Sequence, residues 1–208
     1  MQQIRLSATG ISKTFQGLRP VFKNLNIHIA NGDIFGITGS NGSGKSTLLK
    51  ILSGTLLPSS GSLELKIDNK IIPVEQFHLY IGFVSPYLAL YEEFTPLEHC
   101  AITSRMRGIP FKKADAEALL EQFGLFKRRD HEIRMFSSGM KQRVKYILAL
   151  LHAPAILFLD EPTTNLDAAG IDAVETFISF FKESQKTVII ATNDERERAW
   201  CNTTIAIV

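Results

Sequence analysis

Gly39-Ser40-Asn41-Gly42-Ser43-Gly44-Lys45-Ser46 is a glycine-rich run closed by a lysine and a hydroxyl, in the pattern G-x-x-x-x-G-K-[ST]. The chemistry such a run can do is phosphate binding. Glycines let the backbone turn tightly and approach an anion with no Cβ in the way. Successive N–H groups then converge into an anion nest, and a helix starting at the lysine adds a favourable partial charge. Lys45 can reach the β- and γ-phosphates of a nucleoside triphosphate. The Ser46 hydroxyl is a ligand for Mg²⁺, and Thr47 can bond the α-phosphate. The loop defines the ligand class and leaves the reaction open.

A pair of carboxylates points to a reaction. Ala155-Ile156-Leu157-Phe158-Leu159 is an apolar strand pattern that runs directly into Asp160-Glu161. Ligands of open α/β sheets bind beyond the carboxyl ends of the strands. Asp160 is therefore expected beside the metal, through water. Glu161, one residue on, is expected to polarise an attacking water as general base.

These groups need elements to position them. Ile4–Ala8, Leu25–Ile29, Ile34–Thr38, Leu63–Ile67 and Ile81–Val84 read as short strands, with Asn31-Gly32-Asp33 as a turn before Ile34. Leu48, Leu49, Ile51 and Leu52 recur at helical spacing after the loop, and Gly54 is a stop signal. From about Leu97 to Leu151 the pattern is helical, clearest over Ala114–Phe123 and Arg143–Leu151. Ile156–Leu159 and Val188–Thr192 read as strands buried on both faces of a parallel sheet, with a helix over Asp172–Phe181 between them. The expected fold is α/β: a phosphate-loop core on a largely parallel sheet, an N-terminal antiparallel β layer and an inserted α-helical arm. One domain is expected over 1–208, with a core lobe at about 1–85 and 151–208 and the arm at about 86–150.

Bulk properties narrow the class. The chain has 208 residues, 45% of them hydrophobic and 21% charged, which suits an ordinary folded domain. With 23 basic and 21 acidic residues its net charge is +2, so no nucleic-acid partner is expected. Cys100 and Cys201 have no metal or disulfide spacing, consistent with a reducing cytoplasm. The N-terminal MQQIRLSATG has no signal-peptide character. The most apolar run, Val144 to Leu159, is broken by Lys145, His152 and Pro154 and is too short to span a bilayer.

Phe136-Ser137-Ser138-Gly139-Met140-Lys141-Gln142-Arg143 makes the reading specific. It resembles the signature sequence of ATP-binding cassette (ABC) ATPases, in a variant found among exporter-type cassettes. The more usual form has Gly at 138 and Gln at 140; Ser137 and Gly139 match. The run opens a helix, with a serine available as cap. Asp160-Glu161-Pro162-Thr163-Thr164-Asn165-Leu166-Asp167 is similar to the family's acidic strand end and D-loop. Phe15 occupies the place of the aromatic that stacks on adenine, the rival reading being a core residue. The resemblance covers nearly the whole chain. It implies an ATPase using ATP and Mg²⁺, with Phe15, Gly39–Thr47, Ser137 and Gly139 at the nucleotide and Ser46 and Asp160 at the metal. It also implies a second cassette in a head-to-tail dimer, a transmembrane permease subunit, and a place on the cytoplasmic face of the cell membrane. A short permease helix is expected near Pro86–Phe94.

Two positions depart from the pattern. Where the family has its Q-loop glutamine, after Ile81–Val84, this chain has Ser85-Pro86-Tyr87. Where the family has its switch histidine, after Val188–Thr192, it has Asn193, the second candidate catalytic residue after Glu161. Slow hydrolysis is the expected consequence. Three readings follow: the ATPase of a transporter, an ABC ATPase outside transport, and an ATP-sensing switch that barely hydrolyses.

Overall fold

The computed structural model describes residues 3–17 and 19–207. Two sheets stack around a helix. Strands β1 (Ile4–Thr14), β2 (Pro20–Ala30), β4 (Ser60–Ile67) and β5 (Lys70–Ile72) form an antiparallel sheet in the order β2-β1-β4-β5. Strands β3 (Ile34–Thr38), β6 (Ile81–Val84), β7 (Ile156–Asp160), β8 (Thr187–Thr192) and β9 (Thr203–Ala206) form a parallel sheet in the order β6-β7-β8-β3-β9. Helix α1 (Lys45–Leu52) lies between the sheets. Helices α2 (Pro96–Met106), α3 (Lys113–Gln122) and α4 (Ser138–Leu150) follow β6; α5 (Ala168–Glu183) and α6 (Glu195–Ala199) complete the order.

The continuous apolar runs are explained by burial on both faces. Ile37, Phe158 and Ile189 join one core with α1 and the inner face of the antiparallel sheet, through Leu6, Ile11, Ile29 and Leu65. Their neighbours Ile34, Leu157, Leu159, Val188 and Ile190 join the other core with α3, α4 and α5. Alternate residues of each strand thus feed opposite cores, as period-two side-chain geometry requires.

Register sets the functional edge. Thr38 is opposite Thr192, Asp160 opposite Ala191, and Val84 opposite Leu159. The loops leaving β3, β6, β7 and β8 therefore emerge together at one end of the sheet.

Several expected boundaries shift. β1 and β2 run well past Ile4–Ala8 and Leu25–Ile29 because antiparallel pairing continues through irregular register. α4 begins five residues before Arg143, since Ser137 caps it: its side chain accepts from the Met140 N–H at 3.2 Å. β5, β9 and α6 had no counterpart in the sequence reading. Thr203-Thr204-Ile205-Ala206 has little apolar signal and becomes a strand only by pairing along β3. Asn31-Gly32-Asp33 does turn, with the Asp33 carboxylate accepting from Ala30 N at 2.7 Å, and it carries the chain from one sheet to the other.

The α4–β6 contact is close enough to require glycine. A Cβ on Gly82 would lie 2.5 Å from the Ala149 carbonyl oxygen, 3.0 Å from Leu157 Cδ1 and 3.1 Å from Pro154 Cγ. Gly82→Ala should cost about 1–3 kcal/mol by overpacking. Urea unfolding with an unchanged slope and a lower midpoint is the expected result. A wild-type midpoint would mean that α4 can move off the sheet freely.

Candidate functional site

The phosphate loop is built by backbone that only glycine tolerates. Gly39 has φ 149, Gly42 φ 82 and Gly44 φ 105. A Cβ on Gly39 would meet the Ile207 carbonyl oxygen at 2.4 Å, and one on Gly44 would meet Val21 Cγ1 at 2.3 Å. The loop is thus pressed between the end of β9 and the antiparallel sheet. Lys45 is folded back beneath it, its Nζ donating to the carbonyls of Gly39 and Ser40 at 3.0 Å each. Asn41, Gly42, Gly44, Lys45, Ser46 and Thr47 line a cavity of about 400 Å³, and Glu161 and Tyr87 complete its wall.

Ser46 Oγ donates to Asp160 Oδ1 at 2.8 Å, and Ser85 Oγ stands 3.5 Å from Oδ2. Asp160 is only 1% exposed. Burial pushes its carboxyl pKa up; the Ser46 hydroxyl pulls the other way, and the neighbouring Glu161 adds to the rise. A cation beside it would relieve that penalty. Ser46 Oγ and the Asp160 carboxylate form an all-oxygen donor pair, which suits Mg²⁺, an ion that keeps phosphate oxygens and waters as its other ligands. Among the described residues no group of three or more His, Cys, Asp or Glu is arranged around a metal. The fit is to an ion held jointly by protein and phosphate.

Glu161 is set off the strand by strain. Its φ is 46, left-handed backbone that costs a non-glycine residue on the order of 1 kcal/mol or more. Its N–H still donates to Ala191 O at 2.9 Å, and Thr164 Oγ1 lies 3.5 Å from its Oε2. The turn behind it is pinned twice. Tyr146 Oη donates to Pro162 O at 2.8 Å from a fully buried position. Buried Glu197 accepts from Thr163 N at 2.8 Å and from Thr163 Oγ1 at 2.5 Å. Neither Tyr146 nor Glu197 was identified from sequence; each lies in a helix whose pattern marks only burial or exposure.

The other expected residues are not all gathered here. Asn193 Nδ2 donates to Asn41 Oδ1 at 2.8 Å, bridging the loop after β8 to the phosphate loop. It lines an adjoining hollow with Gly39, Ser40 and Asp194 rather than the cavity that Lys45 and Glu161 share. Phe15 is 40% exposed, which removes the core reading, and Lys13 Nζ sits 5.0 Å from its ring centroid. Ser137 is exposed at the start of α4, with Gly139 beside it, and neither lines the phosphate cavity. A Cβ on Gly139 would lie 3.2 Å from Asn165 O, so the signature run packs on the turn that follows the acid pair. Tyr87 is 81% exposed and lines the phosphate cavity, although the sequence associated it with the expected docking segment. Its sequence signal was its position: it follows the strand whose next loop enters the site.

The ABC transporter family model matches residues 22–164. The chain is 35% identical over 198 residues to the lipoprotein-releasing system ATP-binding protein LolD of Leptospira interrogans, covering 91% of this chain and 82% of that one. It is 34% identical over 189 residues to the bacitracin transport ATP-binding protein BcrA of Bacillus licheniformis, covering 90% of this chain and 61% of that one. The dimeric post-hydrolysis structure of the cassette MJ0796 bound to ADP and Pi superposes with a TM-score of 0.84 at 26% identity, covering 97% of this chain and 94% of that one. The chain belongs to the ABC transporter family, as an ATP-binding subunit with ATPase chemistry that uses ATP and Mg²⁺. Subunits of this kind work with transmembrane partners. Among the described residues no helix is long and apolar enough to cross a membrane.

Lys45→Ala should leave the fold intact and abolish stabilisation by Mg-ATP. The wild-type chain should gain about 2.7 kcal/mol at a nucleotide concentration a hundredfold above Kd. Melting curves with and without nucleotide measure it. An undiminished shift in the variant would mean that the loop is not the ATP site.

Proposed function

We propose that this chain powers an exporter, hydrolysing ATP in a head-to-tail pair of cassettes docked on a permease at the cytoplasmic face of the membrane. The observation that carries this reading is the separation of the phosphate-loop cavity from the exposed start of α4. Lys45, Ser46 and Glu161 surround one cavity, while the capped N-terminus of α4 at Ser137–Gly139 points its free N–H groups elsewhere, at the surface. A helix N-terminus suits a γ-phosphate. An exposed one, outside its own chain's cavity, suits the nucleotide of a second copy. The family resemblance of the signature run, and a relative named for lipoprotein release, support the outward direction. The chain is proposed to act as one domain, with a core lobe at about 1–85 and 151–208 and an arm at about 86–150.

In this reading the adenine stacks on the open face of Phe15. Lys45 exchanges the carbonyls of Gly39 and Ser40 for phosphate oxygens. Ser46 and Asp160 would hold Mg²⁺, which would supply neutralisation of phosphate charge. Glu161 takes a proton from water as it attacks the γ-phosphorus, and the bond to the β-phosphate oxygen breaks to release ADP and phosphate. Glu161 stands in the same cavity wall as Lys45 and Ser46, which supports that role. Asn193 shifts its amide from Asn41 to the γ-phosphate. An amide can donate that hydrogen bond but cannot become cationic as an imidazole can.

The permease is proposed to enter the apolar groove formed by Leu88, Leu90, Tyr91, Ile102, Met106 and Leu148, of about 390 Å³. Leu88, Tyr91 and Met106 are exposed there; Tyr91 stacks on His99, and Phe94 packs against both rings. Ser85-Pro86-Tyr87 and Asn193 also favour a second reading, a slow ATP-sensing switch. Turnover measured beside ATP affinity separates the two.

Glu161→Gln keeps the side-chain shape and removes the base, so it should hold ATP in a stable dimer. Size-exclusion chromatography in Mg-ATP should show the doubled mass. A monomer with saturated nucleotide sites would sink the shared-site reading.

Asn193→His should raise the turnover number, by up to about 10²-fold, while ATP affinity changes little. Steady-state ATPase assays test this. Equal or lower turnover in the folded variant would mean that position 193 is not the switch.

A further inference from the structure

Two side chains from outside the phosphate loop complete the wall of its cavity. All the other lining residues lie between Asn41 and Thr47; these two are Glu161 and Tyr87. Glu161 has a role in the hydrolysis described above, and Tyr87 has none. Tyr87 is among the most exposed large side chains of the protein and belongs to neither hydrophobic core. Among the described residues its backbone N–H has a partner, Ser85 Oγ at 3.3 Å, and its phenolic hydroxyl has none.

The backbone that carries Tyr87 is nevertheless fixed at several points. Val84 pairs with Leu159, so β6 ends level with the start of the acid pair. Ser85 Oγ then lies 3.5 Å from Asp160 Oδ2 while it accepts from Tyr87 N. Leu88 N donates to Ser85 O at 3.2 Å and closes a turn. Buried Lys145 donates to the carbonyls of Ser85 and Pro86 at 3.3 and 2.6 Å. Pro86 fixes its own φ. Tyr87 lines the phosphate cavity, and Leu88, one residue on, lines the apolar groove instead. A side chain that packs on little, mounted on backbone held this firmly, is pre-organised for what enters the cavity.

Hydrolysis has a use for it. Glu161 accepts one proton of the attacking water, and a water held by a single hydrogen bond turns freely about it. In-line attack on phosphorus requires a fixed direction. A phenol oxygen both accepts and donates. It can accept from the second O–H of the water and give its own hydrogen to an oxygen of the γ-phosphate, where charge must be stabilised as the bond to the β-phosphate breaks. A neutral phenol does this without the repulsion that a second carboxylate would bring to a phosphate.

We propose that Tyr87 is a catalytic residue whose hydroxyl bridges the attacking water and the γ-phosphate. The water's proton goes to Glu161, and the phenol keeps its own. The inference rests on the reading of this cavity as the hydrolytic site with Glu161 as base, and adds the group that orients the water.

The test is single-turnover hydrolysis, with protein in excess over Mg-ATP, measured beside ATP affinity for wild type, Tyr87→Phe, Tyr87→Ala and Glu161→Gln. Tyr87→Phe keeps the ring and removes only the hydroxyl. It should hydrolyse about tenfold more slowly or worse, the worth of a hydrogen bond to a charged group. Its ATP affinity should stay within about threefold of wild type, since the bond counts chiefly in the transition state. Tyr87→Ala should be no faster than Tyr87→Phe. An unchanged melting temperature and an unchanged shift with Mg-ATP show that each variant is folded, as expected for so exposed a side chain. A wild-type rate in Tyr87→Phe, whether or not Tyr87→Ala is slow, would overturn the inference, because the ring alone would then suffice. So would a loss confined to ATP affinity. If Glu161→Gln is slow and Tyr87→Phe is not, the hydrolytic site stands and only the role of Tyr87 falls. Wild-type turnover surviving in Glu161→Gln would overturn the reading of the cavity and this inference with it.

Discussion

The hydrogen bond from Ser46 to Asp160 joins segments 114 residues apart, and the rest of the site is arranged around it. Asp160 ends a strand that is buried along its whole length. A carboxylate removed from water must find donors or a cation, or give up its charge. That requirement places the hydroxyl of α1's first turn at one particular spot. Helix α1 reaches it only if the phosphate loop passes between Ile207 and Val21, where a side chain at Gly39 or Gly44 would collide. The glycines, the helix start and the acidic strand end therefore depend on one another. Removing water from one carboxylate organises all three.

The same edge links the site to distant parts of the chain. Glu161 sits in left-handed backbone, and the turn after it is held by Tyr146 from α4 and Glu197 from α6. Gly139 packs on Asn165, itself at φ 65, farther along that turn. The exposed start of α4 and the acid pair are thus connected through a few strained residues and buried hydrogen bonds. A change at Glu161 and a change at Ser137 have a short physical route between them. The segment from Ser85 to Tyr91 makes a second link. Ser85 approaches Asp160, Tyr87 faces the phosphate cavity, and Leu88 to Tyr91 face the groove. Lys145 holds its bend through two carbonyls.

Glycines at fixed spacing, and an apolar strand ending in acids, were readable from the sequence because local geometry alone requires them. So were the parallel strands, whose apolar runs reflect burial on both faces, and the Ser137 cap, which acts within one helical turn. Tertiary structure alone decided the rest, because those features depend on pairing between residues far apart in the chain. β9 exists through its neighbour β3. The pins from Tyr146 and Glu197, the bridge from Asn193 to Asn41, and the place of Tyr87 in the cavity wall all come from the meeting of separate segments. Sequence determined the chemistry at the ends of the strands; the fold decided which ends meet.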